Sequence, residues 1–178
     1  MTTIDERSMT VLRKLISDIK FAMLTTRNAD GTLVSRPMTT QAADENDQDA
    51  LWFFLPKSGG VVADMTSDQH VGLTYADPDS DIYVSISGRA VLEENLQHKQ
   101  ALWSKMNQAW FPNGPNDPDV GLLRVDILRA HYWDVKKNKL MQLFDMAKAN
   151  LTGTPPMNIG DSVEVKVEIG RASCRERV

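Results

Sequence analysis

Residues 21–41 read FAMLTTRNADGTLVSRPMTTQ, and this stretch decides the fold class because it carries the pattern of a β-hairpin. Two runs of strand-forming residues flank the cluster NADG at 28–31, in which Asp-Gly supplies the positive-φ residue that a short hairpin loop needs. In the second run, alternation places Val34, Arg36 and Met38 on one face of the strand. Because an unpaired guanidinium on an apolar face is costly, we expect a carboxylate or phosphate beside Arg36.

Composition indicates one compact domain that binds neither nucleic acid nor membrane. The 178 residues are 42% hydrophobic and carry a net charge of -4, without a basic cluster interleaved with aromatics. No apolar run approaches the roughly 20 residues that span a bilayer. The polar N-terminus MTTIDERSMT does not resemble a signal peptide, so we expect a cytoplasmic protein. The single cysteine, Cys174, excludes an intrachain disulfide and a cysteine-based zinc site.

The C-terminal residues are set apart from the domain. The last eleven residues, EIGRASCRERV at 168–178, look like the translation of a sequencing-library adapter, and a natural flexible terminus is the alternative. We assign residues 1–155 to the folded domain, 156–167 to a polar C-terminal tail and 168–178 to this artefact.

Hydrophobic periodicity predicts an antiparallel β protein with few helices, and therefore a barrel instead of a βαβ sheet. The loop at 109–120 is rich in Pro, Asn and Gly. Beyond the hairpin, strands are predicted at 50–55, 70–75, 82–87 and past Gly88, 122–126 and 131–135. Helices are predicted at 5–20, 61–66, 93–106 and 140–151.

Signatures of common nucleotide, zinc-protease and hydrolase sites are missing from the sequence. The three histidines, His70, His98 and His131, lack metal-ligand spacing, so we predict structural or surface roles and no metal site. The Ser58-Gly59-Gly60 segment follows a predicted strand and precedes a predicted helix. Its backbone N–H groups could cradle an anion, with Lys57 adding charge, and an ordinary flexible turn is an equally weighted alternative.

Taken in order, the motifs resemble the pyridoxamine 5'-phosphate oxidase-like flavin-binding split barrels, most closely those of the general stress protein 26 type. The matching stretches are FAMLTT, SRPM, LWFF, VGLTYADP, YVSISGRA, AWFPNGPNDPDVGLLRVD, HYWD and KLMQLFDMAKANLTG, which span Phe21 to Gly153. The resemblance implies a mainly β fold with flanking helices, a six-stranded antiparallel split barrel. It also implies a homodimer with one FMN in each of two clefts at the subunit interface, with FAD as the alternative cofactor.

The same resemblance implies where the cofactor lies. Residues 36–39 would line the flavin and its phosphate arm, residues 53–55 would offer backbone contacts along the isoalloxazine ring, and the loop 57–61 would hold the phosphate. Two residues of an adjoining strand would lie near the cofactor, and Trp133 would reach it from the partner subunit. The full set is Arg36, Pro37, Met38, Thr39, Phe53, Phe54, Leu55, Lys57, Ser58, Gly59, Gly60, Val61, Tyr83, Ser85 and Trp133.

One position departs from the family pattern. Many relatives carry Ser-x-Lys in the phosphate loop, and the alignment places Gly59 near the serine and Val61 at the lysine. A charge-assisted contact is worth about 1.5 to 3 kcal/mol, so its loss would weaken FMN binding tenfold or more unless Lys57 substitutes.

The implied function is that of an FMN-dependent oxidoreductase whose flavin accepts hydride from a reduced nicotinamide or a small substrate, with no residue assigned as catalytic. Pyridoxamine-phosphate oxidase activity itself is not expected, because HYWDVKKNKLMQLF has lysines and apolar residues where that enzyme has an arginine-and-histidine-rich motif. Two alternatives stay open: a non-catalytic flavin-binding stress or sensor protein, and an empty split barrel that acts as an interaction module.

Overall fold

The computed structural model describes residues 6–42, 49–134 and 161–166, in which strands dominate and helices are short apart from the first. The helices are α1 (Glu6–Ile19), α2 (Gly60–Met65), α3 (Leu96–Ala101) and α4 (Lys105–Trp110), with a 3-10 turn at Pro78–Ser80. The strands are β1 (Phe21–Arg27), β2 (Leu33–Thr39), β3 (Ala50–Pro56), β4 (His70–Asp77), β5 (Ile82–Glu93), β6 (Val120–Asp134) and β7 (Asp161–Lys166).

The predicted hairpin is confirmed. Strands β1 and β2 pair in an unbroken antiparallel register, and Gly31 at the turn has a φ of 88°. The hydroxyl of Thr32 donates to the Asp30 carboxylate, which holds the pKa of Asp30 below its usual range. On β2, Val34, Arg36 and Met38 share one half-buried face, as the alternation predicts.

The strands form an antiparallel barrel that is almost closed. Their order is β2-β1-β4-β5-β6-β3, and β7 pairs with β6 outside this path. The path closes through one bridge between Thr40 and Phe53, where the Gln41 N–H also donates to the Trp52 carbonyl at 2.9 Å. The predicted six-stranded barrel is therefore present, with β7 as an additional strand.

Two strand predictions are corrected by the structure. The separate strands at 122–126 and 131–135 are parts of β6, in which Ser87 pairs with Arg129 but Gly88 pairs with Ile127. Leu128 is therefore the extra residue of a bulge, and it interrupts the alternation that sequence analysis follows. The polar tail at 156–167 contains β7, which was missed because the six residues DSVEVK hold only two apolar side chains.

The predicted helix at 93–106 is also corrected. Strand β5 continues to Glu93, and the Asn95 side chain accepts from the N–H groups of Gln97 and His98 to begin α3. Residues 102–104 then separate α3 from α4. The helix predicted at 140–151 lies outside the described residues.

Two hydrophobic clusters meet across β3, which explains why its run of apolar residues does not alternate with polar ones. Leu51, Phe53 and Leu55 point into the barrel, whose end is covered by the apolar face of α1. Trp52 and Phe54 point outward and are covered by the 102–111 segment. Both faces of β3 are therefore buried.

Replacing Gly88 with Ala should lower the free energy of unfolding by about 2 kcal/mol, because the site has no room for a methyl group. A Cβ at Gly88 would lie 2.5 Å from Val125 Cγ1 and 2.9 Å from the Asp126 carbonyl oxygen. Urea unfolding measures the change. Gly72→Ala is the matched control, because its nearest neighbour would be at 3.7 Å. Equal stability of the two variants would contradict this packing.

Stability should fall above pH 10 because of Tyr75. Burial raises the pKa of Tyr75 well above its usual value, and its hydroxyl lies 2.8 Å from Thr40 Oγ1. Since the unfolded chain ionises this group near pH 10 and the folded chain does not, stability should drop by about 1.4 kcal/mol per pH unit above that point. Unfolding of Tyr75→Phe between pH 9 and pH 11 should show a shallower slope, and an unchanged slope would contradict the assignment.

Candidate functional site

The candidate site is the split between β2 and β3, which diverge from their bridge at Thr40 and Phe53. Because the Trp52 carbonyl accepts from Gln41 across this edge, alternation turns the backbone N–H and C=O of Phe54 toward the same side. Phe53 and Leu55 direct theirs to β6. The same antiparallel bridge pairs the Phe54 N–H with the Thr39 carbonyl. Within the described residues, β2 forms no ladder with β3 beyond the bridge, so the Phe54 carbonyl faces an open edge.

Strand β2 also directs backbone groups toward the split. The Thr40 N–H donates to the Lys20 carbonyl, away from β3, so the backbone groups of Thr39 and the Pro37 carbonyl face the split. Proline is tolerated at residue 37 because its missing N–H would point to this open edge. The split therefore offers hydrogen-bonding backbone groups on both sides.

Arg36 finds its anion within the chain. Its Nη1 donates to Thr26 Oγ1 at 2.7 Å, and its Nη2 lies 3.2 Å from Asp64 Oδ2. Thr26 in turn donates to the same carboxylate oxygen at 2.6 Å, and both Thr26 and Asp64 are buried. The expectation of an anion beside Arg36 is confirmed, and that anion is a carboxylate of α2.

The loop that the resemblance assigns to phosphate is tied down by two other carboxylates. Asp119 accepts from both the backbone N–H and the hydroxyl of Ser58, at 2.8 and 2.9 Å. Lys57 Nζ lies 3.1 Å from Glu94, in a pair whose carboxylate is largely exposed. Burial and the nearby Lys57 lower the pKa of Lys99, which donates to the Val120 carbonyl.

Helix α2 approaches Arg36 closely at its first residues. A Cβ at Gly60 would meet Arg36 Nη2 at 2.9 Å, so the guanidinium would have to shift to accommodate any side chain there. Gly59 precedes the helix in an extended conformation and donates its N–H to the Pro56 carbonyl. Val61 is 5% exposed and packs in the main core, so its side chain points away from the loop surface.

Tyr83, Ser85 and Trp133 share the outer face of the sheet. Tyr83 pairs with Trp133 across β5 and β6, and Ser85 pairs with His131, whose ring stacks on Trp133 at 6.1 Å. These side chains lie on a different surface of the protomer from the inward-facing Arg36. Large apolar side chains are exposed on the same outer face of β1 and β2, with Phe21 at 61% and Leu33 at 71%.

A cleft of about 460 Å³ lies beside the Thr40 bridge, and no residue of the loop 57–61 is among its lining residues. It is lined by Thr39 at the end of β2, by Gln41 just after that strand, by Arg13 of α1 and by Lys20 between α1 and β1. Asn107 holds Gln41 by donating to its side-chain oxygen at 2.9 Å. Of the predicted site residues, only Thr39 lines this cleft.

Sequence analysis missed three residues that bond the predicted site residues. Thr26 and Asp64 bond Arg36, and Asp119 bonds Ser58. One signal for Asp64 was available, because Val61, Asp64 and Met65 have the spacing of one helical face and all three are buried. An aspartate on an apolar helical face requires a partner just as Arg36 does on its strand. Asp119 gave no such signal, since it lies in a polar loop.

The described residues include no helix that is both long and apolar enough to cross a bilayer. Within the same ranges, no three or more His, Cys, Asp or Glu side chains are grouped as metal ligands.

Comparison with known proteins assigns the chain to a family. The family model described as pyridoxamine 5'-phosphate oxidase like matches residues 7–157. Protein bli-3 of Neurospora crassa is 30% identical over 153 residues, which cover 81% of this chain and 73% of that protein.

Solved structures agree with this assignment. The general stress FMN/FAD binding protein of Xanthomonas citri superposes with a TM-score of 0.63 at 26% identity, covering 72% of this chain and 89% of that one. A protein related to general stress protein 26, from Clostridium acetobutylicum, shares the fold with a TM-score of 0.63 at 20% identity, over 74% of this chain and 91% of that one. The chain therefore belongs to the pyridoxamine 5'-phosphate oxidase-like family of split barrels.

Proposed function

We propose that this chain is a cytoplasmic, FMN-binding general stress protein that forms a homodimer and acts as a flavin-dependent oxidoreductase. The observation that carries the proposal is the open split between β2 and β3, in a chain whose relative from Xanthomonas citri is named an FMN/FAD binding protein. FMN is preferred to FAD in this proposal, because the motif series Phe21 to Gly153 resembles FMN-binding split barrels.

The residues of the split fit the flavin ring. An isoalloxazine presents hydrogen-bonding groups along one edge and flat apolar faces, and the split offers the Thr39 N–H and the Pro37 and Phe54 carbonyls beside the side chain of Pro37. When bound, FMN supplies hydride acceptance and electron transfer. The chain's own residues would position the ring through backbone hydrogen bonds and exclude water with apolar side chains.

The exposed outer face supports the homodimer in this proposal. Phe21, Met23, Leu33, Tyr83 and Trp133 are each between 37% and 71% exposed, on the two strand pairs β1–β2 and β5–β6 that flank β4 in one sheet. Grouped exposure of large apolar side chains is typical of an interaction surface. A second copy that covers this face would bury them and would bring Trp133 of one protomer toward the other. This arrangement would account for a site built from residues on two surfaces of the single chain.

The proposal is tested by the visible spectrum of the purified protein and by titration with FMN. We expect quenching of FMN fluorescence that saturates at one FMN per protomer, and a dimer by size-exclusion chromatography with light scattering. Protein that is colourless and does not quench FMN fluorescence would contradict the proposal and favour an empty interaction module.

The catalytic part of the proposal has its own assay. Oxidation of a reduced nicotinamide by the FMN-loaded protein should exceed the rate with the same concentration of free FMN. A rate equal to that of free FMN, with the flavin bound, would favour the non-catalytic flavin-binding stress or sensor protein.

A further inference from the structure

We infer that the phosphate end of this site is neutralised by the chain's own carboxylates, so that the protein binds riboflavin about as tightly as FMN, with Asp64 as the residue that sets this low preference for phosphate. The inference rests on the proposed flavin site. It concerns which form of the flavin the site selects.

The Arg36 guanidinium already has a counter-charge within the chain. Asp64 lies 3.2 Å from Nη2, Thr26 bonds both Arg36 and Asp64, and the Asn28 amide donates to Asp64 Oδ1 at 2.8 Å, so the four side chains form one network. The side chain of Asp64 is only 10% exposed and that of Arg36 29% exposed, so water screens their attraction weakly. A phosphate that approaches Arg36 must also approach the Asp64 carboxylate, and repulsion by Asp64 offsets the attraction to Arg36.

The two residues of the loop 57–61 with side-chain hydrogen-bond donors, Lys57 and Ser58, also have carboxylate partners. Ser58 directs both its backbone N–H and its hydroxyl to Asp119, so both donors are already bonded to a carboxylate. Lys57 pairs with Glu94. The cations Arg36 and Lys57, with Lys99 near Lys57, are thus opposed by the four carboxylates Asp64, Glu94, Asp117 and Asp119.

No cation is contributed by the position where relatives carry a lysine. Val61 is buried in the core, so the first turn of α2 adds an apolar side chain there. A free phosphate monoester carries a charge of about -1.5 to -2 at pH 7 and loses hydration when it is bound. In a site with no net positive charge, the contacts of the phosphate offset little of its lost hydration free energy. The flavin ring therefore supplies most of the binding free energy.

Parallel fluorescence titrations with FMN and riboflavin test the inference. The two dissociation constants should agree within about fivefold, whereas one unopposed charge-assisted contact would separate them by about tenfold to a hundredfold. FMN affinity should also change little between 50 mM and 500 mM NaCl, because few unpaired charges face the phosphate.

Two variants test which carboxylates lower the preference of the site for FMN over riboflavin. Asp64→Asn keeps the side-chain shape and releases Arg36 from its counter-charge, so FMN should bind about tenfold more tightly and riboflavin unchanged. Glu94→Gln releases Lys57 on an exposed surface where folding is not at risk, and should tighten FMN about threefold. Asp18→Asn is the control, because it removes the same charge from an exposed ion pair with Lys14 on α1.

The outcomes separate the inference from the proposed function. Tight FMN binding with weak riboflavin binding by the wild-type protein would overturn the inference and keep the flavin site. Failure of both flavins to bind would overturn both. Equal tightening of FMN binding by Asp18→Asn and Asp64→Asn would assign the effect to net charge and overturn the role of Asp64.

Discussion

Val61→Lys should lower the free energy of unfolding by about 3 kcal/mol or more, and should not tighten FMN binding. Val61 is 5% exposed and belongs to the core cluster inside the barrel, so a lysine there must bury its ammonium group or displace α2. The family alignment alone suggests the opposite, since it places a phosphate-binding lysine at this position. Urea unfolding followed by tryptophan fluorescence measures the loss, and the FMN titration measures affinity.

Ala63→Lys is the matched control for this substitution. It places the same side chain on the same helix but at an exposed position, so its effect on stability should stay within about 0.5 kcal/mol. A Val61→Lys protein that kept wild-type stability and bound FMN more tightly would show that residue 61 faces the phosphate.

The fold was largely readable from the sequence because its main signals are local. The hairpin turn at 28–31, the apolar stripe of α1 and the alternation of β5 each act within a few residues, and the structure confirms all three. The errors arise where a local signal is interrupted. The bulge at Leu128 led to the prediction of two strands where the structure has the single strand β6. Strand β7 depends on pairing with a strand about 30 residues earlier in the sequence.

The candidate site was harder to predict because its polar contacts join distant segments. Alternation placed Arg36 on an apolar face and correctly required an anion, but it could not choose between a phosphate and a carboxylate. That choice depends on the docking of α2 against β1, which brings Asp64 to Thr26 and Arg36. Whether the remaining predicted residues hold a flavin stays a prediction for the titrations above.

Arg36→Ala should lower the free energy of unfolding by about 2 to 3 kcal/mol even without flavin, because it leaves the buried Asp64 carboxylate without its cation. Breaking a fully buried pair costs about 3 to 5 kcal/mol, and the 29% exposure of the Arg36 side chain reduces that figure. An arginine that served only to bind phosphate could be removed without cost to folding. The free energy of unfolding of Arg36→Lys should lie between those of the wild type and Arg36→Ala, because an ammonium cannot bond Thr26 and Asp64 in the same planar geometry.

A double-mutant cycle separates the ion pair from general damage to the fold. The double variant Arg36→Ala with Asp64→Ala should be about 1 to 2 kcal/mol more stable than the two single losses predict, because neither charge is left alone. The exposed pair Lys14–Asp18 is the control: its atoms are closer, at 2.8 Å against 3.2 Å, but its side chains are 74% and 60% exposed. Its coupling should stay below about 0.5 kcal/mol. Equal coupling in the two pairs would mean that burial does not strengthen the Arg36–Asp64 contact, and the explanation for the neutralised phosphate end would fail with it.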